Sequence, residues 1–246
     1  MPTSWIAWAN GPTARKSSTR SWSKTPASFT TSPNRSRSPI CLSGIWRDIG
    51  SPLPRFPERP MLPQRKFFYL RHGETDWNLR GMAQGRKDIP LNETGRRQAR
   101  DAAVSAVGLG IERIVTSPLS RAAETAMTVG AAIGVEPVED PELMESSFGE
   151  REGDVTGEWY RDWLAGRIEI PGADNCAEFL QRRAERIASI LATDERPTLI
   201  VAHGVVYRGL QQLFGWEHTT VQNGVILEHV PDAQAENGAG WRVFMR

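Results

Sequence analysis

Long apolar runs are missing from this chain. Nothing in its 246 residues approaches the roughly eighteen consecutive apolar side chains of a membrane-spanning helix, which excludes that class. Cysteine is almost missing: Cys41 and Cys176 are too few for a disulfide framework or a cysteine-rich zinc site. Histidine is scarce, with four in all, so the position of each is informative. No excess of one charge sign exists overall, the formal net charge being +1. That balance hides an uneven distribution. Residues 1–60 carry nine Lys and Arg against Asp48 and Glu58, whereas the remainder carries 21 basic and 27 acidic residues.

The first sixty residues also lack valine, and their only leucines are Leu42 and Leu53. They hold nine of the 17 prolines, eleven serines and four of the nine tryptophans, with no apolar period of 3.6 or 2.0. Such a segment cannot bury enough apolar surface to offset its ordering entropy. The expectation is a disordered or artefactual N-terminal extension over 1–60 and a folded domain over 61–246, with Met61 as an alternative start. Two other readings stay open. An Arg- and Ser-rich, acid-poor segment also suits organelle targeting, and residues 32–39 suit a basic tail for nucleic acid or a partner. The expected compartment is the cytoplasm, with targeting by 1–60 left open.

From residue 61 the pattern changes to alternating strands and helices. Phe67-Phe68-Tyr69-Leu70 reads as a buried strand. Asn92 can cap a helix whose Ala99, Ala102, Ala103, Ala106 and Val107 recur at helical spacing, ended by Gly108 and Gly110. A strand is expected over 111–116. Ser117-Pro118 then reads as a helix start, with a capping hydroxyl and proline at the first helical position, running to Ile133 before Gly134. Cys176, Phe179, Leu180, Ala184, Ile187, Ile190 and Leu191 mark another helix face. Thr198-Leu199-Ile200-Val201-Ala202 is a central strand, followed by a helix over 205–214 closed by Gly215 and by strands over 225–230 and 241–244. This alternation argues an α/β fold with a mainly parallel sheet covered on both faces.

In open α/β sheets, ligands sit beyond the carboxyl ends of the strands. Two histidines fall there. The first strand leads into Arg71-His72-Gly73 and the central one into His203-Gly204, each glycine permitting a turn off the strand. His218 and His229 have no such context and read as structural or exposed. Arg121 lies in the opening turns of the helix after Ser117, where helix N-termini favour anions. Arg71 and Arg121 offer two planar forks suited to phosphate or carboxylate. No Asp/Glu/His spacing suggests a metal cage. A histidine can act as nucleophile if a carboxylic acid protonates the leaving oxygen. Glu145 is a candidate, though nothing local separates it from Glu142, Glu150 or Glu152.

These residues resemble a known family. Arg71-His72-Gly73-Glu74-Thr75-Asp76-Trp77-Asn78 is similar to the signature of the histidine phosphatase superfamily, in its phosphoglycerate-mutase-like branch. Asp88 to Gly95 with Gln98-Ala99, Ser117-Pro118-Leu119-Ser120-Arg121, Glu145 with Phe148-Gly149 and Glu152-Gly153, and Ala202-His203-Gly204 with Arg208 resemble its later motifs in order. The resemblance implies a three-layer α/β/α sandwich and a phosphohistidine mechanism with no metal or other cofactor. It makes His72 the nucleophile. Arg71, Arg121, His203 and Asn78 would hold the phosphoryl oxygens, and Glu145 would be the acid and then the base. Gln84 and Gly85 would contact substrate.

The same chemistry serves a phosphatase or a mutase. Residues 145–176 lean acidic, a poor clamp for a second anionic group. That favours hydrolysis of a small phosphorylated metabolite, in the manner of broad-specificity and α-ribazole phosphatases. A cofactor-dependent phosphoglycerate mutase and a catalytically silent phosphate-binding module remain the alternatives. Trp159, Tyr160 and Trp163 either line a subsite for the leaving group or pack the cap on the sheet. Asp174 and Asn175, where many such phosphatases carry Glu-Ser, can cap a helix. Cys176 reads as a buried structural thiol. The expected partner is the substrate alone; neither membrane nor nucleic acid is expected, and a homodimer is left open.

Overall fold

The computed structural model describes residues 61–216, 220–235 and 240–246. The readings made for residues 1–60 and for His218 fall outside the described residues. Six strands form one sheet: β1 (Phe67–Arg71), β2 (Arg113–Thr116), β3 (Pro137–Glu139), β4 (Thr198–Ala202), β5 (Ile226–Pro231) and β6 (Trp241–Met245), in the order β3-β2-β4-β1-β5-β6. The pairs β2–β3, β2–β4 and β1–β4 are parallel, and β5 and β6 close one side antiparallel. The fold is therefore the expected α/β sandwich with a mainly parallel sheet. No helix among the described residues is long and apolar enough to cross a membrane.

Strand alternation sorts the core into two layers, because successive side chains point to opposite faces. Phe68, Leu70, Ile114, Leu199 and Val201 face α2 (Glu93–Ala106) and α3 (Ser120–Ile133). Phe67, Tyr69, Val115, Ile200 and Ala202 face α5 (Cys176–Ala192) and α6 (Gly204–Phe214). The α2 contact face is alanine, at 99, 102, 103 and 106, which lets that helix lie close to Ala122, Ala126 and Val129; Val107, expected on that face, lies past the helix end and is exposed. Asn92 caps α2 as expected, its Oδ1 accepting from the Gly95 N–H at 2.8 Å. Two further short helices, α1 (Asp76–Leu79) and α4 (Glu158–Leu164), lie in the segments that follow β1 and β3.

Two local expectations change. α3 starts at Ser120, and its cap position, Leu119, makes no side-chain cap bond. Ser117 is drawn off by a tertiary contact, its Oγ lying 2.8 Å from His203 Nε2. The glycines after the two histidines also serve other ends, since neither has positive φ. A Cβ on Gly73 would come within 2.4 Å of the Gly95 carbonyl oxygen, so that glycine permits a close backbone approach. Gly204 would meet only ordinary contacts at 3.6 Å.

His229 is structural. Its ring is fully buried, stacks on Phe67 at 4.3 Å between centroids, and shares a 3.0 Å hydrogen bond with the Tyr207 hydroxyl. Burial pushes its pKa down to about 3. An unfolded histidine takes its proton near pH 6.5, so between these values the unfolded state binds more protons. The contribution of the neutral ring is complete above about pH 6.5 and is lost as pH falls towards 3. His229→Phe keeps the stack and removes the titration. The stability gap between wild type and variant should shrink on going from pH 7.5 to 5, by up to about 1.4 kcal/mol per unit below 6.5. Urea unfolding at both pH values measures it; a gap independent of pH would exclude His229 as the cause.

Candidate active site

Three neighbouring strands deliver the site. β2, β4 and β1 lie side by side with Thr116 opposite Val201 and Arg71 opposite Ala202. The ladder continues one step past each end, with the Ser117 N–H donating to Val201 O and the His72 N–H to Ala202 O, both at 3.0 Å. Ser117, His72 and His203 thus emerge at one edge. The two imidazoles lie 5.2 Å apart between centroids.

His72 is almost fully buried, and its Nδ1 lies 2.7 Å from the Gly73 carbonyl oxygen. A carbonyl only accepts, so Nδ1 carries the proton and Nε2 keeps its lone pair. Burial, reinforced by Arg121 and Arg71, pushes the His72 pKa well below its ordinary value. The ring is therefore neutral, with an unprotonated nitrogen, at physiological pH. His203 is fully buried, and burial with the same arginines lowers its pKa as well.

A cavity of about 560 Å³ opens here, with Arg71, His72, Asn78, Arg121 and Glu145 in its wall. Arg121 is 1% exposed, so its guanidinium has nowhere else to turn. Its two terminal nitrogens donate to the Lys87 and Gly85 carbonyls at 2.9 Å, and its Nε is buried with no hydrogen-bond partner. Arg71 donates from Nη1 to Val221 O at 2.9 Å, and its Nε is likewise left over. Burial lowers the Arg121 pKa only to about 10, so it remains a cation at neutral pH. Orphan buried donors on two fixed guanidiniums favour an anion. Asn78 spends its Oδ1 on the Thr75 N–H in a capping box, which leaves Nδ2 as its group for a ligand.

Burial separates the four candidate acids. Glu142 pairs with Arg183 at the surface, Glu150 is exposed, and Glu152 accepts from the Arg86 N–H at 2.9 Å. Glu145 alone of the four is buried and lines the cavity. Its oxygens accept from the Ser146 and Val205 N–H groups at 3.1 and 3.2 Å. Burial raises its pKa, and those N–H groups with Arg121 and Arg71 oppose the rise without cancelling it.

Gln84 and Gly85 both line the cavity. Gln84 Oε1 is buried with no partner, an acceptor open to a ligand. Gly85 has φ +55°, and a Cβ there would come within 2.1 Å of Glu152 Oε1, so side chains are excluded twice over. Of the cap aromatics, Tyr160 lines the cavity. Trp159 and Trp163 instead pack edge-on against Phe148. Asn175 caps α5, whereas Asp174 accepts from the Ser147 N–H at 2.8 Å and pairs with Arg86 at 3.0 Å. Burial pushes the Cys176 thiol up to about 12, and it stays inert.

The sequence reading missed the segment 221–224. Besides the Val221 carbonyl on Arg71, Asn223 Nδ2 donates to His72 O at 2.8 Å and the Gly224 N–H to Arg71 O at 2.9 Å. The Asn-Gly pair was the one available signal, a turn dipeptide placed just before β5.

Known proteins share this sequence pattern and fold. A Bacillus subtilis (strain 168) protein named uncharacterized phosphatase PhoE is 36% identical over 145 residues, spanning 57% of this chain and 72% of its own. The probable phosphoglycerate mutase GpmB of Enterobacter sp. (strain 638) is 36% identical over 149 residues, spanning 56% and 69%. The crystal structure of TTHB049 from Thermus thermophilus superposes with a TM-score of 0.58 at 28% identity, covering 74% of this chain and 98% of that one. A mycobacterial glucosyl-3-phosphoglycerate phosphatase shares the fold, with a TM-score of 0.62 at 24% identity over 74% and 97% of the two chains. The family model described as histidine phosphatase superfamily (branch 1) matches residues 67–228, and the chain belongs to that superfamily.

Proposed function

We propose that this protein hydrolyses a small phosphomonoester through a phosphohistidine on His72, without a metal. One observation carries the reading. The Nδ1–H of His72 is committed to Gly73 O, so a neutral Nε2 lone pair is available in a cavity that also holds two guanidiniums and a buried carboxyl. Relatives named phosphatase support the same activity.

In the first step His72 Nε2 attacks phosphorus and the ester P–O bond breaks. Glu145, kept protonated by burial and by the incoming phosphate charge, gives its proton to the leaving oxygen. Arg71, Arg121, Asn78 and His203 stabilise the transferring phosphoryl oxygens from fixed positions. In the second step the Glu145 carboxylate takes a proton from water, water oxygen attacks phosphorus, and the P–N bond breaks. Phosphate leaves and neutral His72 returns. Gln84 Oε1 accepts a hydrogen bond from the substrate, with the Gly85 backbone beside it.

The leaving group meets Met82, Phe148, Thr156 and Tyr160. Two acids of the cap are paired locally, Asp154 with Arg151 and Asp162 with Arg167, and none of the cap acids lines the cavity. Repulsion from these acids therefore does not weigh against a mutase. What weighs against it is the uncharged wall that the cap segment 146–175 gives this cavity, through Phe148, Thr156 and Tyr160. Phosphoglycerate transfer needs a hold on a second anion; Arg208 of α6 is a cation in this cavity wall, so the isomerisation assay decides between the two readings.

The test is p-nitrophenyl phosphate hydrolysis by the full chain with and without EDTA, beside conversion of 3-phosphoglycerate to its 2-isomer. Hydrolysis unaffected by EDTA, with no isomerisation, is the expected result. Activity lost in EDTA and restored by a divalent cation would overturn the metal-free mechanism. Isomerisation faster than hydrolysis would replace the phosphatase reading with the mutase.

A further inference from the structure

We propose that Ser117 is a positioning residue that fixes the tautomer of His203, donating its hydroxyl proton to Nε2 so that Nδ1 carries the ring proton and meets the phosphoryl group. The consequence for turnover rests on the phosphatase reading; the tautomer does not.

The observations are hydrogen-bond accounting. Ser117 and His203 both have zero exposure, so neither can turn to solvent. Ser117 Oγ lies 2.8 Å from His203 Nε2 and also accepts from the Leu119 N–H at 3.3 Å. Its proton then has one acceptor among the described residues, the Nε2 lone pair. The reverse arrangement, Nε2–H donating to Oγ, would leave the hydroxyl proton without an acceptor. It would also leave Nδ1 as a buried lone pair with no donor. In the proposed state a single group is unsatisfied, Nδ1–H, and Nδ1 is indeed buried without a partner. An orphan buried donor costs free energy until a ligand oxygen meets it.

The backbone sets this contact. The Ser117 N–H is the last rung of the β2–β4 ladder, and the Tyr69 hydroxyl donates to the His203 carbonyl at 2.7 Å. Both partners are thus pinned by the sheet. Burial and the neighbouring guanidiniums keep His203 neutral, so its tautomer matters. Neither Ser117 nor His203 is in the cavity wall; the serine acts through His203, whose ring centre lies 5.2 Å from that of the cavity-lining His72.

The test is nitrogen NMR of the full chain labelled at histidine, with the His203 signals assigned by their loss in His203→Gln. At neutral pH the resting wild type should show a protonated Nδ1 and an unprotonated Nε2. In Ser117→Ala the proton should move to Nε2, and Ser117→Thr, which restores the hydroxyl, should return it to Nδ1. With nitrophenyl phosphate, Ser117→Ala should lose on the order of 10–100-fold in kcat, near or below the range for one transition-state donor, and Ser117→Thr should recover most of it. A wild-type spectrum with Nε2 protonated overturns the proposal without any variant. So does a Ser117→Ala protein with unchanged turnover. If the wild type shows the expected tautomer but hydrolyses no phosphomonoester, the phosphatase reading fails and the Ser117 assignment stands.

Discussion

His72→Ala should abolish turnover, with a loss on the order of 10⁴-fold or more, because it removes the proposed nucleophile. His203 is the nearest nitrogen base, but its Nε2 is held by Ser117 and its ring centre lies 5.2 Å from that of His72. Arg71 and Arg121 are anchored through Val221, Lys87 and Gly85, none of which involves the His72 ring. Inorganic phosphate or vanadate should therefore bind the variant within about tenfold of wild type, the loss of one interaction rather than of the site. Arg121→Ala or His203→Ala should behave differently. Each removes a group proposed to stabilise charge, with an expected cost on the order of 10²–10³ in kcat and measurable turnover left. A rapid-quench search for acid-labile, alkali-stable phosphoprotein should find it in wild type and not in His72→Ala. Equal activity in wild type and His72→Ala would sink the covalent mechanism.

The contrast between the central and outer parts of the sheet explains what the sequence could reveal. β4 was legible to the residue because a fully buried parallel strand is a continuous apolar run, and Thr198 to Ala202 is one. α5 was legible because a long helix against the core repeats its apolar face over seventeen residues. β3 was not. Pro137-Val138-Glu139 is three residues on the edge of the sheet, partly exposed, with no pattern to read. α4 is seven residues, and its Trp159, Tyr160 and Trp163 fit a subsite or a packing layer equally well on sequence alone. The outcome depended on which ring faced the cavity, a tertiary fact.

The site divides in the same way. Arg71, His72 and His203 were legible because they follow strands that end at one edge. Glu145 was not separable from Glu142, Glu150 and Glu152, since what distinguishes it is burial against Val205 and Ser146 contributed by the folded chain. Ser117 was misread for an instructive reason. Serine before proline has the composition of a helix cap, but a buried hydroxyl 2.8 Å from an imidazole has a better partner than a helix N–H. The cap acids misled because composition counts charges without saying where they point.

Glu145→Gln separates the two chemical steps. In the proposed mechanism the carboxyl serves first as acid, and how much this matters depends on the leaving group. An alkoxide needs its proton in the transition state, whereas nitrophenolate hardly does. With an alkyl phosphate the variant should lose about 10²–10⁴-fold in the first step. With p-nitrophenyl phosphate that step should fall by less than about tenfold. The second step needs the carboxylate as base for water whatever the leaving group was, so phospho-His72 should accumulate. Stopped-flow should show a burst of one nitrophenolate per site followed by slow turnover. Wild type adds a pH signature. Glu145 must be protonated for step one, and burial raises its pKa, so activity on alkyl phosphates persists above the ordinary carboxylate range. It falls as pH rises through the raised value. The His72 pKa is lowered, so the nucleophile stays neutral well to the acid side of 6.5. With nitrophenyl phosphate in single turnover, the alkaline limb should flatten, because the proton donor no longer matters. A burst rate impaired equally for both leaving groups would exclude Glu145 as the acid, and loss of the burst with every substrate would instead assign it to holding the phosphoryl group.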